Sequence, residues 1–567
     1  MKNGLIWSDY VVFLIYFVIV AGYGYWIYSK KKKEATSTHD FFLAEGSLTW
    51  WAIGASMIAS NISAEQFIGM SGDGFFVGTA VAAYEWIAAL ALIIIAVWFM
   101  PIYLKNKIMT MPQFLTNRYN GTVALIMAIF WLFLYVFVNL TSILYLGAVA
   151  INGLLGGAYL HTIMIVLAIM ALIITLGGMK VIGYTDVIQV AVLIIGGLAT
   201  TWMALTIVGD KLGVGANAIA GFKAMMADSP EHFKMIFPKP DANSSNLDIQ
   251  KYVVLPGIAM YFAGQWIVNL NYWGCNQYIT QRALGADLTT ARNGILFAGF
   301  LKLFMPIVVM VPGIAAWVLV KHGHLTLDNK DGAYAAILGY LPNGLKGLSL
   351  AALTAAIVAS LAGKVNSIAT IYTLDLHKKY FAKDSSEQKQ VWTGRIVAVA
   401  AMIIALIFTW EDLLGIGGEG GFTFIQKYTG FISPGILAMF LLGMFWKRTT
   451  GAAAVAGIIT GFLVSLLFNS TVLPETFGNE TLLYTAYQYT KEVNGVTQTF
   501  VEIPFLICMG WSFFFTVLVM VVLSLFGPKE NPKAIEIDAS MFKVKPGTLA
   551  LIVATLLILS AFYIKFW

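Results

Sequence analysis

The chain has 567 residues, of which 59% are hydrophobic and only 11% are charged. Its mean hydropathy is +0.79. Soluble globular proteins carry about 25% charged residues, so this composition excludes that class and predicts a protein that crosses the membrane many times. The net charge of +6 comes mostly from clusters between apolar segments, which indicates orientation in the bilayer and gives no reason to expect nucleic-acid binding. Cys275 and Cys508 are isolated, so neither a disulfide framework nor a zinc site is indicated.

The apolar segments predict an all-α polytopic membrane protein with about 14 transmembrane helices, because about 20 apolar residues cross the hydrocarbon core. The predicted spans lie near residues 9–29, 47–70, 76–104, 122–151, 160–178, 184–208, 252–275, 293–321, 343–377, 391–410, 421–446, 450–469, 503–526 and 547–566. The first span lacks a small-residue cleavage signature and is expected to be retained.

Basic residues concentrate in alternate loops, which are therefore expected to face the cytoplasm. These residues include Lys30 to Lys33, Lys105, Lys107, Arg118, Lys180, Arg282, Arg292, Lys378, Lys379, Lys447 and Arg448. With this arrangement both termini are predicted to lie on the extracellular or periplasmic side.

The segment from Ser56 to Met70 interrupts an apolar span with polar residues. Unpaired backbone groups in lipid cost several kcal/mol, so a helix that breaks at Ser60 and Asn61 is expected to face protein or a water-filled cavity. Freed carbonyls and hydroxyls can bind a hard cation, and Asn61, Glu65 and Gln66 can hydrogen-bond a polar solute. The alternative is a kinked helix whose polar side chains only contact neighbouring helices.

Several motifs occur in one order along the chain. They occupy residues 59–70, 84–86, 139–145, 184–190, 269–274, 313–316 and 426–435. In this order they resemble the sodium/solute symporter family, and in particular its bacterial sodium/galactose (sodium/glucose) members. The resemblance covers nearly the whole chain and implies a LeuT-type fold of two inverted five-helix repeats.

The resemblance also implies a division of the chain. Residues 1–46 form an extra N-terminal helix and a basic loop, 47–209 the first repeat, 210–251 an external loop, 252–446 the second repeat and 447–567 three further helices. The first helix of each repeat is expected to be broken, at Ser60-Asn61 and at Asn269 to Asn271.

Charged residues near mid-membrane cost about 2.5 to 3.5 kcal/mol, so Glu85 and Lys302 are expected to face an interior site or each other. A purely structural ion pair is the alternative. The resemblance implies a set of residues that bind a sugar: Asn61, Gln66, Glu85, Asn269, Lys302 and Gln426. Trp273 is expected to stack against the solute. The resemblance assigns the inner gate to Tyr272 and the outer gate to Met70, Tyr84 and Phe422.

For sodium, the resemblance implies backbone oxygens of Ala59, Ile62 and Ala356 and the hydroxyl of Ser360. Family members carry a pair of serines at the hydroxyl position, but here Ala359 replaces one of them. One protein oxygen is thereby lost.

Lys364 lies one helical turn after Ser360 and about 20 Å along the helix from Lys378. Because snorkelling cannot cover that distance, Lys364 needs an anionic partner or contact with a water-filled vestibule. The resemblance places Asp186 beside this helix, which makes it the expected partner. The hypothesis is that the ammonium replaces a cation near Asp186 and, with Ala359, weakens sodium dependence. The alternative is a lysine that points into the vestibule.

The expected function is a sodium-coupled galactose or glucose symporter of the plasma (inner) membrane that works by alternating access, with no nucleic-acid or obligate protein partner. An enzyme is not expected, because no nucleophile or metal-ligand cluster is evident. The alternatives are symport of another polar solute such as inositol, altered sodium coupling, and a non-transporting membrane sensor.

Overall fold

The computed structural model describes residues 6–31, 38–43, 48–155, 157, 159–327, 329–411, 413, 421–493 and 496–567. These residues are mostly helical, and their only sheet is the antiparallel hairpin of Tyr487–Val493 and Val496–Glu502. The α-helices are Trp7–Lys31, Thr38–Leu43, Trp50–Asn61, Ser71–Val77, Ala83–Ile94, Met100–Lys105, Met111–Arg118, Gly121–Phe133, Thr141–Leu154, Leu160–Thr175, Met179–Lys211, Ala218–Asp228, Asn246–Val254, Ala259–Phe262, Gly264–Gly274, Gln277–Leu284, Leu288–Lys302, Met305–Val309, Val311–Lys321, Ala333–Tyr340, Leu345–Thr370, Glu387–Trp410, Gly421–Gly430, Ser433–Phe445, Gly451–Phe468, Val472–Phe477, Phe505–Leu525 and Pro546–Phe566. Among the described residues, the π-helical segments are Glu65–Met70, Ile95–Phe99, Leu134–Leu140 and Ile371–Phe381. Short 3₁₀ helices are Gly78–Ala82, Pro230–Phe233, Lys330–Gly332 and Ala539–Phe542.

The helices confirm the prediction of an all-α polytopic membrane protein. Within the described residues, 9 helical runs are long and apolar enough to cross a membrane, or up to 11 if two bent pairs each count as one span. Leu160–Thr175 and Ser433–Phe445 are apolar but shorter. The count of 14 spans therefore stays a prediction.

The helix Leu345–Thr370 lies at the centre of the protein and is buried over almost its whole length. It packs more extensively against Met179–Lys211 than against any other described helix. A methyl group on Gly196 would lie only 2.8 Å from the side chain of Ala352. Small residues at such a contact let two backbones approach closely, which is how membrane helices gain van der Waals energy. This packing fixes the central helix that carries Ser360 and Lys364.

The first predicted helix break is confirmed. The helix Trp50–Asn61 ends at Asn61, and Ile62 is extended with φ −75° and ψ 103°. The N–H groups of Ser63 and Glu65 bond instead to the side chains of Gln66 and Ser63, at 3.0 and 3.2 Å. The carbonyls four residues earlier, those of Ala59 and Asn61, therefore lose their usual helical donors.

The second break lies elsewhere than predicted. Asn269 and Asn271 belong to a continuous helix, Gly264–Gly274, and the bend of 78° falls before it, at Ala263. The Asn269 amide donates to the carbonyl of Gln265, one turn back, at 2.9 Å, so the asparagine follows the helix rather than interrupting it. At this bend Gly264 packs directly against Leu506. A methyl group in place of the glycine hydrogen would lie only 2.7 Å from the backbone of Leu506, so the close contact requires glycine.

Three arginines that were counted as cytoplasmic loop charges are in fact buried: Arg118, Arg282 and Arg292. Arg118 donates to the carbonyls of Gly443, Trp446 and Thr449, at 2.6, 3.0 and 3.0 Å, where the helix Ser433–Phe445 ends. A guanidinium has five donors, so it can satisfy several free carbonyls at a helix terminus. Arg292 likewise donates to a backbone carbonyl, that of Ala96, whereas Arg282 pairs with Asp186, so none of the three is an exposed loop charge. The side of the membrane on which they lie stays a prediction.

Candidate functional site

A polar cavity lies where the two broken helices meet. Its lining comes from both of them and from the helices Ala83–Ile94, Leu288–Lys302 and Gly421–Gly430. Seven residues that the sequence analysis assigned to the solute all line it: Asn61, Gln66, Glu85, Asn269, Trp273, Lys302 and Gln426. The structure thus brings together residues that are far apart in sequence.

Glu85 and Lys302 form a buried ion pair in the wall of this cavity. The Lys302 ammonium lies 2.5 Å from a Glu85 carboxylate oxygen, and the two side chains are only 1% and 4% exposed. The ammonium also lies 5.2 Å from the centre of the Trp273 ring. The sequence left open whether the two charges face a site or each other, and the structure shows that they do both.

Two amide oxygens at the cavity lack hydrogen-bond partners among the described residues. They are Oδ1 of Asn61 and Oδ1 of Asn271, and both atoms are buried. Buried polar atoms in proteins are nearly always hydrogen-bonded, so an unpaired one needs an explanation. A polar solute whose hydroxyl groups donate to these oxygens would satisfy them.

Tyrosines close one side of the cavity. The Tyr272 hydroxyl accepts a hydrogen bond from Nδ2 of Asn61 at 3.0 Å and another from the hydroxyl of Tyr278. The two tyrosine rings meet edge to face, with centroids 5.6 Å apart. Tyr278 also packs against Tyr135, at 5.7 Å. Sequence reasoning missed Tyr278, because a tyrosine near a helix end is usually an interfacial anchor.

Residues assigned to the outer gate have different positions. Tyr84 lines the cavity, whereas Met70 is fully buried and is not part of the lining. The side chain of Phe422 lies outside the described part of the chain. Next to this region, the Lys330 ammonium lies 2.5 Å from the Asp73 carboxylate, which ties Lys330–Gly332 to the helix Ser71–Val77.

The proposed sodium ligands lie around the first helix break. Ala59, Ile62, Ala356 and Ser360 are all fully buried. The Ser360 hydroxyl donates to the backbone carbonyl of Ser60 at 3.0 Å, which holds the central helix against the break. Hydroxyl and carbonyl oxygens are the ligands that a hard cation prefers. The assignment of these residues to sodium stays a prediction.

Asp186 is paired with Arg282, so the expected contact with Lys364 is wrong. The Asp186 carboxylate accepts from the Ser56 hydroxyl at 2.5 Å and lies 3.7 Å from the Arg282 guanidinium. The guanidinium also donates to the hydroxyls of Ser56 and Ser60 and to the Tyr278 carbonyl. Gly363 provides the room, because a methyl group there would overlap the guanidinium.

Lys364 instead lies in the cavity wall beside the tyrosines. Its side chain is buried, and Nζ lies 4.8 Å from the centre of the Tyr278 ring. The sequence could not choose this partner over Asp186, because the pattern of basic residues assigned Arg282 to a cytoplasmic loop.

A polytopic helical protein with a polar cavity between two broken helices has the architecture of a secondary transporter. The family model described as "Sodium:solute symporter family" matches residues 41–461. The chain belongs to the sodium:solute symporter family and is a sodium-coupled membrane transporter, not an enzyme.

Named relatives support this membership. The sodium/glucose cotransporter of Vibrio parahaemolyticus is 40% identical, with 100% of this chain and 99% of the relative covered. The sodium/myo-inositol cotransporter 2 of Mus musculus is 32% identical, with 81% and 69% covered. Sodium/glucose cotransporter 1 of Ovis aries is 30% identical, with 81% and 71% covered.

A solved structure shares the fold. The outward-open structure of a sodium-coupled sialic acid symporter aligns with a TM-score of 0.75, at 19% identity, and covers 93% of this chain and 99% of the other. This similarity supports the LeuT-type architecture that the sequence predicted.

Proposed function

We propose that the protein carries galactose or glucose together with sodium across the plasma (inner) membrane by alternating access. The observation that carries this proposal is the convergence of Asn61, Gln66, Glu85, Asn269, Lys302 and Gln426 on one cavity that also holds unpaired amide oxygens. A sugar offers hydroxyl donors and acceptors around one ring, which suits such a lining. The full-length similarity to a sodium/glucose cotransporter supports the same solute.

In this proposal the wall residues have separate roles. Glu85 and Gln426 bind sugar hydroxyls, and Lys302, held by Glu85, donates to another hydroxyl. The ring of Trp273 faces the apolar side of the sugar. Tyr272 blocks the route to the cytoplasm, while Met70, Tyr84 and Phe422 close the external route.

We propose that sodium binds to the backbone oxygens of Ala59, Ile62 and Ala356 and to the Ser360 hydroxyl. The repeats at residues 47–209 and 252–446 rock against each other around this centre. Both termini are proposed to lie outside the cytoplasm, since the exposed lysines Lys105, Lys378 and Lys447 follow the positive-inside pattern.

The sodium gradient supplies enough energy for accumulation. One sodium ion moving down about 100 mV provides about 2.3 kcal/mol. A tenfold concentration gradient adds about 1.4 kcal/mol, and together they correspond to several hundredfold accumulation of a neutral sugar.

Inositol is the second candidate solute, because a named sodium/myo-inositol cotransporter is 32% identical over 81% of this chain. Inositol presents a ring of hydroxyls much as a hexose does, so the same lining can bind it.

Uptake into proteoliposomes tests the proposal. We expect labelled galactose or glucose to accumulate with an inward sodium gradient and not with choline in place of sodium. Unlabelled inositol, galactose and glucose are compared as competitors. Sodium-driven uptake of inositol alone would replace the sugar assignment, and the absence of sugar binding at saturating sodium would refute it.

A further inference from the structure

The ammonium of Lys364 is a buried positive charge beside the tyrosines of the cavity. It lies 4.8 Å from the centre of the Tyr278 ring, and the residue is 3% exposed. A cation over the face of a desolvated aromatic ring is attracted by the ring quadrupole. The Glu65 carboxylate attracts the ammonium as well, while the Arg282 guanidinium repels it. The contact with the Tyr278 ring is therefore the short-range interaction of this charge, and Glu65 adds a longer-range attraction.

Tyr278 connects Lys364 to Tyr272, the proposed inner gate. Its hydroxyl donates to the hydroxyl of Tyr272, and its ring meets the Tyr272 ring edge to face. Tyr272 is in turn held by the amide of Asn61, at the end of the first broken helix. A cation that fixes the Tyr278 ring therefore also fixes the immediate support of Tyr272.

Lys364 is also close to the proposed sodium ligands. It follows Ser360 by four residues on one continuous helix, a separation of about 6 Å along the axis. Ser360 contacts the break at Ser60. Like charges on neighbouring helical turns repel each other, and a poorly solvated interior screens this repulsion less than water does. A sodium ion at this place is thus bound more weakly than it would be without the lysine.

Arg282 cannot take over this role. Its guanidinium is already engaged by Asp186, Ser56, Ser60 and the Tyr278 carbonyl, and it packs directly against Gly363. Lys364 is the cation that faces both the ring of Tyr278 and the cavity.

We propose that Lys364 is a tethered cation that holds Tyr278, and through it Tyr272, in the closed gate, and so supplies part of the positive charge that bound sodium would otherwise provide. Lys364 is a positioning residue in this scheme. The inference rests on the proposed function for the place of sodium and for the role of Tyr272. Its consequence is a transporter that needs little sodium to retain its solute but binds sodium weakly.

The first test uses sodium alone, so it does not depend on which solute is carried. The full-length protein in lipid nanodiscs is melted at increasing sodium concentration, with choline keeping the ionic strength constant. A ligand that binds the folded state raises the melting temperature by mass action, which gives the half-saturating concentration. The variants are Lys364→Met, Lys364→Gln and Lys364→Arg. Lys378→Met, an exposed lysine further along the same helical run, is the control.

We expect the neutral variants to reach half-saturation at a sodium concentration at least about tenfold lower than wild type, because the repulsion is gone. Lys364→Arg and Lys378→Met should match wild type. Equal half-saturation in wild type and both neutral variants would overturn the inference. So would a Lys364→Arg result that follows Lys364→Met, since side-chain shape rather than charge would then be responsible. Using two neutral variants guards against one that fails to fold.

The second test measures release of labelled galactose. At low sodium, Lys364→Met should release the sugar roughly tenfold faster than wild type, and saturating sodium should restore slow release. Release that is unchanged at low sodium would contradict the gate role. If wild type binds no galactose, the proposed solute is wrong, and the sodium melting series still decides the inference.

Discussion

The Lys302 ammonium lies 2.5 Å from the Glu85 carboxylate, and both side chains are almost completely buried. Each charge is tolerable in the membrane interior only because the other is present. The pair therefore supports the fold and the cavity wall together, and the two contributions can be separated by substitution.

Replacing one member of the pair should destabilise the protein. Lys302→Met leaves the Glu85 carboxylate buried without a partner, which we expect to cost about 3–5 kcal/mol of folding free energy. The double variant Glu85→Gln with Lys302→Met should recover most of this loss but not the sugar affinity. The measurements are melting temperature and equilibrium sugar binding. Full recovery of binding in the double variant would remove both residues from the solute site.

Gln426 tests a single neutral contact. It lines the cavity on the helix Gly421–Gly430. Losing one hydrogen-bonding partner in a closed site costs about 1–3 kcal/mol. Gln426→Ala should therefore bind sugar roughly tenfold to a hundredfold more weakly in equilibrium titrations. Gln498→Ala, exposed on the hairpin, is the matched control and should bind normally. Unchanged affinity in Gln426→Ala would exclude the contact.

Two substitutions separate the contributions of the ring and the hydroxyl of Tyr272 to the gate. Tyr272→Phe loses the bonds to Asn61 and Tyr278 but keeps the ring, whereas Tyr272→Ala loses both. We expect labelled sugar to be released fastest from Tyr272→Ala, at an intermediate rate from Tyr272→Phe and slowest from wild type. Melting temperature serves as the folding control. Wild-type retention by Tyr272→Ala would show that the ring is not the gate.

Gly363 keeps space for the Arg282 guanidinium. Gly363→Ala would force this group away from Asp186 and Ser60, and overpacking of this kind costs about 1–3 kcal/mol. We expect a lower melting temperature than wild type. Gly339→Ala, also on a helix but with nothing within 4 Å of the new methyl group, is the control. If Gly363→Ala were as stable as the control, the Arg282 guanidinium could adopt another position without loss of stability.

Ala359 precedes Ser360 on the buried face of the central helix. Ala359→Ser adds a hydroxyl oxygen next to the proposed cation ligand, so sodium should bind more tightly. Sodium titrations of sugar binding should show half-saturation at a lower concentration than in wild type. A titration identical to that of wild type would place the cation elsewhere.

The sequence by itself determined the membrane class and the first helix break. Polar residues at Ser60 and Asn61 cannot remain in a lipid-facing helix, so the chain had to turn inward at this point. The motif order, by resemblance, also selected the residues that line the cavity, including Glu85, Lys302 and Gln426. These features depend on local polarity or on matched motifs, both of which can be read along the chain.

Only the tertiary structure decided the partners of the buried charges. Asp186 contacts Arg282 rather than Lys364 because Ser56 and Gly363, on two other helices, shape the space around the guanidinium. Likewise, the second break falls at Ala263, where Gly264 packs directly against Leu506, a residue of a helix far along the chain. Such choices depend on which helices approach each other and how closely, and no local pattern of residues specifies that distance.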